Sequence, residues 1–176
     1  EAEEAVLPKD VVFVLDTSGS MAGEKIKQAR EALIHALRNL NRNDRYGIVS
    51  FASGIRPFRE QLTPVSDGLD PALTFSRNLE GQGGTNIAGA LKRAAEMLPR
   101  NGAGRVQLVV FMTDGLPTVG EDDPKKIMAA LNEQLGTRVR VFPFGVGTDV
   151  NTDLLDNLAA DHRGSPAYIK PGENLE

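Results

Sequence analysis

Five apolar residues in unbroken succession, Val11-Val12-Phe13-Val14-Leu15, end abruptly at Asp16. A strand covered on one side alternates apolar with polar positions, whereas a continuous β-branched and aromatic run suits a strand buried on both faces. The run Val106 to Met112 reads as a second fully buried strand, and it too stops at an acid, in Thr113-Asp114-Gly115. Strands that need cover above and below restrict the chain to a layered α/β domain with a mostly parallel sheet.

The intervening pattern agrees. Ile26, Ala29, Leu33, Leu37 and Leu40 recur at helical spacing over Glu24 to Leu40, which marks a helix with one buried stripe. Arg45 to Phe51 reads as a strand, and Ser53-Gly54 turns it into Ile55 to Leu62. So short a connection predicts an antiparallel edge strand. A helix is expected over Leu69–Leu79, with Asp70 as N-cap and Pro71 in the first turn. Another is expected over Ile87–Leu98, with Ala90, Leu91, Ala94, Met97 and Leu98 on one side, and a third from Asp123-Pro124 to Leu135, with Ile127, Ala130 and Leu131 inward. Val139 to Val146 and Ala167 to Ile169 read as strands flanking a short helix near Thr152 to Ala160. The expectation is a three-layer, doubly wound, Rossmann-like α/β fold. Its sheet has six strands, mostly parallel with one antiparallel edge strand, and helices lie on both faces.

Asp16, Ser18 and Ser20 place three oxygen donors at alternate positions just beyond the first buried strand. In open α/β sheets ligands collect past the carboxyl ends of the strands, where strand order reverses. If the strands ending at Asp16 and Asp114 are neighbours there, their carboxylates face one crevice. The glycine-rich stretch Gly81-Gln82-Gly83-Gly84 leads into Thr85 at the same end, adding a third hydroxyl contributor. Asp16, Ser18, Ser20, Thr85 and Asp114 thus form a candidate oxygen shell for a hard cation, Mg²⁺ first, with Mn²⁺ or Ca²⁺ as alternatives. Two carboxylates leave such an ion electrophilic and suited to an external carboxylate.

Asp16-Thr17-Ser18-Gly19-Ser20, Thr85 and Thr113-Asp114-Gly115 resemble the metal-ion-dependent adhesion site of von Willebrand factor type A domains, in order and separation, across roughly Asp10 to Lys170. The resemblance implies direct metal contacts from Ser18 and Ser20. It implies direct or water-mediated contacts from Thr85 and Asp114, and a largely water-mediated role for Asp16. Lys9 to Val14, Lys25-Ile26, Asp44-Arg45, Leu116 to Glu121 and Phe142 to Gly147 are similar to the type A domain of inter-alpha-trypsin inhibitor heavy chains and their bacterial relatives. That likeness implies an extracellular or cell-envelope location and an excised module of a larger, multidomain protein. On this reading residues 1–9 are an acidic leader and 10–176 the domain, its final helix missing or truncated. The implied partner is a protein or extracellular-matrix ligand, held through an acidic side chain. Met21 and Leu116-Pro117-Thr118-Val119 would flank the metal and offer partner contacts.

Other classes find less support. A net charge of −4 gives no electrostatic footing for nucleic acid. No run approaches the roughly eighteen apolar residues of a membrane span, and Glu1 to Lys9 is acidic where a secretory leader would be basic. The absence of cysteine excludes thiolate chemistry and disulfides. His35 and His162 have no ligand-spaced companions and read as surface or packed residues. Asp122-Asp123 and the acids near Asp149 read as helix caps, and Gly145-x-Gly147 lacks a third glycine for dinucleotide binding. An aspartyl-phosphate phosphohydrolase with Asp16 as nucleophile would need an acid two residues on, where Ser18 stands. The remaining alternatives are that Asp16 to Ser20 only cap a turn and a helix, or that a metal merely stiffens the loops.

Overall fold

The computed structural model describes residues 7–100, 104–114, 123, 125–126, 129–130, 133 and 139–146, with the backbone of 167–169. The expected helix near Thr152 to Ala160, the acids near Asp149, Gly147, His162, the loop 115–122 and the two chain ends lie outside the described residues.

The chain runs β1 (Lys9–Asp16), α1 (Glu24–Arg38), β2 (Arg45–Phe51), β3 (Ile55–Pro57), β4 (Thr63–Pro64), α2 (Asp70–Arg77), α3 (Ile87–Met97), β5 (Val106–Thr113), β6 (Val139–Val146) and β7 (Ala167–Ile169). Across the sheet the order is β3-β2-β1-β5-β6-β7, with β4 also on β2. Every pairing among β2, β1, β5, β6 and β7 is parallel; only β3 and β4 run antiparallel. These two share the edge position, β3 opposite Val49–Phe51 and β4 opposite Arg45–Tyr46. The sheet is therefore six strands across, with the expected antiparallel edge; of the stretch Ile55–Leu62 only Ile55–Pro57 is strand, and the edge resumes at Thr63–Pro64. Proline occurs in both pieces, at Pro57 and Pro64, and cannot donate to a ladder.

β1 earns its unbroken apolar run by dividing its side chains between two cores. Val11, Phe13 and Leu15 pack with Ile26, Ala29, Leu33 and Leu37 of α1 and with Leu73 of α2. Val12 and Val14 pack with Ile87, Leu91 and Ala94 of α3 and with Phe111 of β5. β5 was expected to be equally sealed, but Val106, Leu108 and Val110 are half-buried. The cover on the α1 face is centred on β1 and thins toward β5.

Helix ends differ modestly from expectation. Asp70 is the first residue of α2 rather than its cap, which falls at Leu69. At α3 the Asn86 side chain accepts the Gly89 N–H, an N-cap that sequence spacing did not single out. Lys125, Lys126, Ala129, Ala130 and Glu133 are helical, but Ala130 is exposed rather than inward.

At the amino ends of the strands a fully buried acid ties three of them together. Asp10 accepts bonds from Arg45 (Nε 2.8 Å, Nη2 2.7 Å) and from Arg105 Nε (2.7 Å). Burial by itself raises the pKa of this carboxyl, but the two guanidinium groups outweigh it and hold the value below the ordinary range. A depressed carboxyl contributes stability above its unfolded pKa of about 3.9 and loses it as pH falls through the lower folded value. Asp10→Asn is expected to cost about 2 kcal/mol at pH 7. The difference between variant and natural chain should shrink below about pH 4 in urea melts, as the natural carboxyl is protonated.

Candidate metal centre

The topology puts the strand-order reversal at β1, with β2 reached on one side and β5 on the other. Parallel register pairs Leu15 with Met112, so Asp16 and the Thr113-Asp114 pair emerge side by side. Four of the five expected ligands are joined in one hydrogen-bonded chain. Asp16 Oδ1 accepts the Ser18 N–H at 2.8 Å, and Ser18 Oγ lies 3.1 Å from Ser20 Oγ. Ser20 Oγ donates to Asp114 Oδ1 at 3.0 Å. Asp16, Ser18, Thr85 and Asp114 are buried, while Ser20 is exposed, so the cluster opens to solvent at that residue.

Thr85 reaches the same end through its loop. The Gly19 N–H donates to Gly83 O at 2.8 Å, and the Gln82 N–H to Thr17 O at 2.7 Å. On the other side of Thr85, the Asn86 N–H donates to Ala52 O at 2.8 Å. Gly81 is a close-approach position: a Cβ there would fall 2.6 Å from the Ala22 nitrogen. Gly83 holds a left-handed φ of 90°. The glycines let the Thr85 loop lie against the Asp16–Ser20 loop.

Three participants were missed. Thr113 Oγ1 donates to Asp16 Oδ2 at 2.8 Å, a contact implied by strand register but not by spacing within either segment. Thr17 Oγ1 donates to Phe51 O at 3.0 Å and pins the loop to β2. Lys25 Nζ lies 3.0 Å from Asp114 Oδ2. Met21, expected to flank the metal and meet partners, is instead fully buried in the core beneath α1; a large thioether gains more from that cavity than from solvent. His35 is exposed. Beside the cluster an open groove of about 600 Å³ is lined by Thr17, Arg56, Phe75, Asn78, Glu80 and Gln82.

A sequence profile described as the von Willebrand factor type A domain matches residues 10–175. The chain belongs to the von Willebrand factor type A family. Among curated relatives of this type A domain, inter-alpha-trypsin inhibitor heavy chain H4 from Homo sapiens is 38% identical over 165 residues, covering 90% of this chain and 18% of the relative. Heavy chain H2 from Sus scrofa is 38% identical over 174 residues, covering 93% and 18%. The chain thus spans under a fifth of the length of these relatives. Among solved structures, a von Willebrand factor type A protein from Catenulispora acidiphila superposes with a TM-score of 0.82 at 21% identity, covering 93% of this chain and 39% of that one. Proximal thread matrix protein 1 from the mussel byssus, described with a zinc-occupied MIDAS motif, gives 0.72 at 18% identity, covering 95% and 45%.

Among the described residues no three His, Cys, Asp or Glu side chains converge. The donor set of this type A domain is hydroxyl-rich, with two carboxylates. Its chemistry fits a hard cation, and the Ser18, Ser20 and Asp114 oxygens, hydrogen-bonded at 3.1 and 3.0 Å, converge at one place.

Burial raises the Asp16 pKa, and the nearby Asp114 charge adds to it; the bonds from Ser18 and Thr113 only partly offset this. An acid with a raised folded pKa destabilises the fold as pH rises through that value. Asp16→Asn is therefore expected to melt at a higher temperature than the natural chain at pH 7 in chelator. The same variant should lose any stabilisation by added Mg²⁺ in thermal melts.

Proposed function

We propose that this type A domain is a divalent-cation-dependent protein-binding module, using Asp16, Ser18, Ser20, Thr85 and Asp114 to hold Mg²⁺ and present it to a partner carboxylate. The observation that carries the reading is the convergence of Asp16, Ser18, Ser20 and Asp114, linked by hydrogen bonds at the carboxyl ends of β1 and β5 and exposed at Ser20. The zinc-occupied motif named for the mussel byssus protein supports the same use of the fold. The groove beside Thr17 offers room for partner residues that flank the bound carboxylate.

Binding suits the site better than phosphoryl transfer. Both oxygens of Asp16 are engaged, one by the Ser18 N–H and the other by the Thr113 hydroxyl, and a buried, doubly bonded carboxylate is a poor nucleophile. The heavy-chain likeness supports an extracellular or envelope setting and a place among other domains of a larger protein, with a protein or matrix component as partner. Among the described residues no helix is long and apolar enough to cross a membrane.

Asp114→Ala is expected to abolish Mg²⁺ binding by calorimetry while leaving the circular dichroism spectrum of the fold unchanged; undiminished affinity would sink the assignment. The metal takes the ionised carboxylates, so protons compete with it. Because Asp16 has a raised pKa, affinity should begin to fall above the ordinary value of about 3.9, and an affinity constant from pH 7 to 4 would contradict the site.

A further inference from the structure

The cation site carries a charge of its own that the five-ligand motif does not include. Lys25 is the second residue of α1, which starts after Gly23 with no side-chain cap. A helix amino end bears partial positive charge and disfavours lysine, so helix electrostatics do not account for this placement. Its ammonium reaches Asp114 Oδ2 at 3.0 Å, with the Asp114 side chain 2% exposed and that of Lys25 27%. A bond between an ammonium and a buried carboxylate is charge-assisted and far stronger than a surface pair.

We propose that Lys25 is an internal competitor for the cation: its ammonium holds Asp114 Oδ2, and a divalent ion binding there must displace it. This inference rests on the reading of Asp114 as a metal ligand. An ammonium has three donors and no acceptor, so it cannot join a metal's coordination shell, and it repels a dication a few ångströms away. Lysine's flexible four-carbon stem lets the charge swing aside without moving α1.

Asp44, at the other end of the sheet, makes a useful contrast. It also pairs with a lysine, Lys9, at 3.2 Å, but additionally accepts the backbone N–H groups of Lys9 and Asn41, each at 2.8 Å. Backbone donors lock that pair in place. The bonds that Ser20 and Lys25 give Asp114 come from side chains that can rotate away. The ammonium therefore lowers cation affinity.

The test is calorimetric titration with MgCl₂ and MnCl₂ of the natural chain, Lys25→Met, Lys25→Arg and Asp114→Asn, with thermal melts of each in chelator. Lys25→Met should bind either ion about tenfold tighter, while Lys25→Arg stays close to the natural chain. In chelator Lys25→Met should melt lower, because a buried carboxylate has lost its cation. A lower melting temperature with equal or weaker cation affinity would make Lys25 a structural pair only and overturn the competition. Absence of binding in both the natural chain and Lys25→Met, or undiminished binding by Asp114→Asn, would instead remove the metal site itself and the competition with it.

Discussion

Two carboxylates buried at the ends of adjacent parallel strands, Asp16 as the last residue of β1 and Asp114 just past β5, repel each other, and the geometry around them answers that repulsion. Asp16 is held by a backbone N–H from its own loop and by the hydroxyl of Thr113 across the β1–β5 pairing. Asp114 is held by Ser20 and Lys25. The Thr113 bond depends on the strand register: a slip of one residue would turn Asp16 to the opposite face of the sheet and away from Thr113. The double burial of β1, with α1 on one face and α3 on the other, fixes that register and so fixes the site.

The two ends of the sheet handle buried acid differently. At the amino ends, Asp10 is clasped by Arg45 and Arg105, and Asp44 by Lys9 and two backbone amides. These pairs join β1 to β2 and to the start of β5 and set three cationic side chains against two acids. At the carboxyl ends the acids are held mainly by hydroxyls and one rotatable lysine, and the cluster reaches solvent at Ser20. Neutral hydroxyl donors hold a carboxylate without cancelling its charge, unlike the guanidinium groups on Asp10.

Much of this was readable in the sequence because burial leaves a period. The apolar run of β1 and the stripe Ile26, Ala29, Leu33 and Leu37 announced a two-sided strand and its covering helix, and the ends of β1 and β5 bring Asp16, Ser18, Ser20 and Asp114 into one hydrogen-bonded chain. Contacts that depend on which strands are neighbours were not readable, and Thr113 on Asp16 is one of them. Lys25 was passed over because a lysine in a first helical turn reads as solvent-facing; only the return of β5 brings Asp114 beneath it. Met21 misled in the opposite sense: its polar, glycine-rich neighbours suggested an exposed loop, while its own bulk carried it into the core. At the edge, Pro57 and Pro64 take the positions that face away from β2, since the N–H groups of the next residues, Phe58 and Val65, are the ones given to Ile48 O and Asp44 O.

Those two prolines have a consequence away from the metal centre. A flat outer strand with a full row of amides invites a neighbouring molecule to zip onto it, the route by which sheet proteins clump. Here the outermost strand is interrupted between Pro57 and Thr63 and lacks a donor in each fragment. A second molecule arriving side-on meets no continuous ladder to extend, so crowding on a surface or along a polymer need not lead this flank into fibrous self-association.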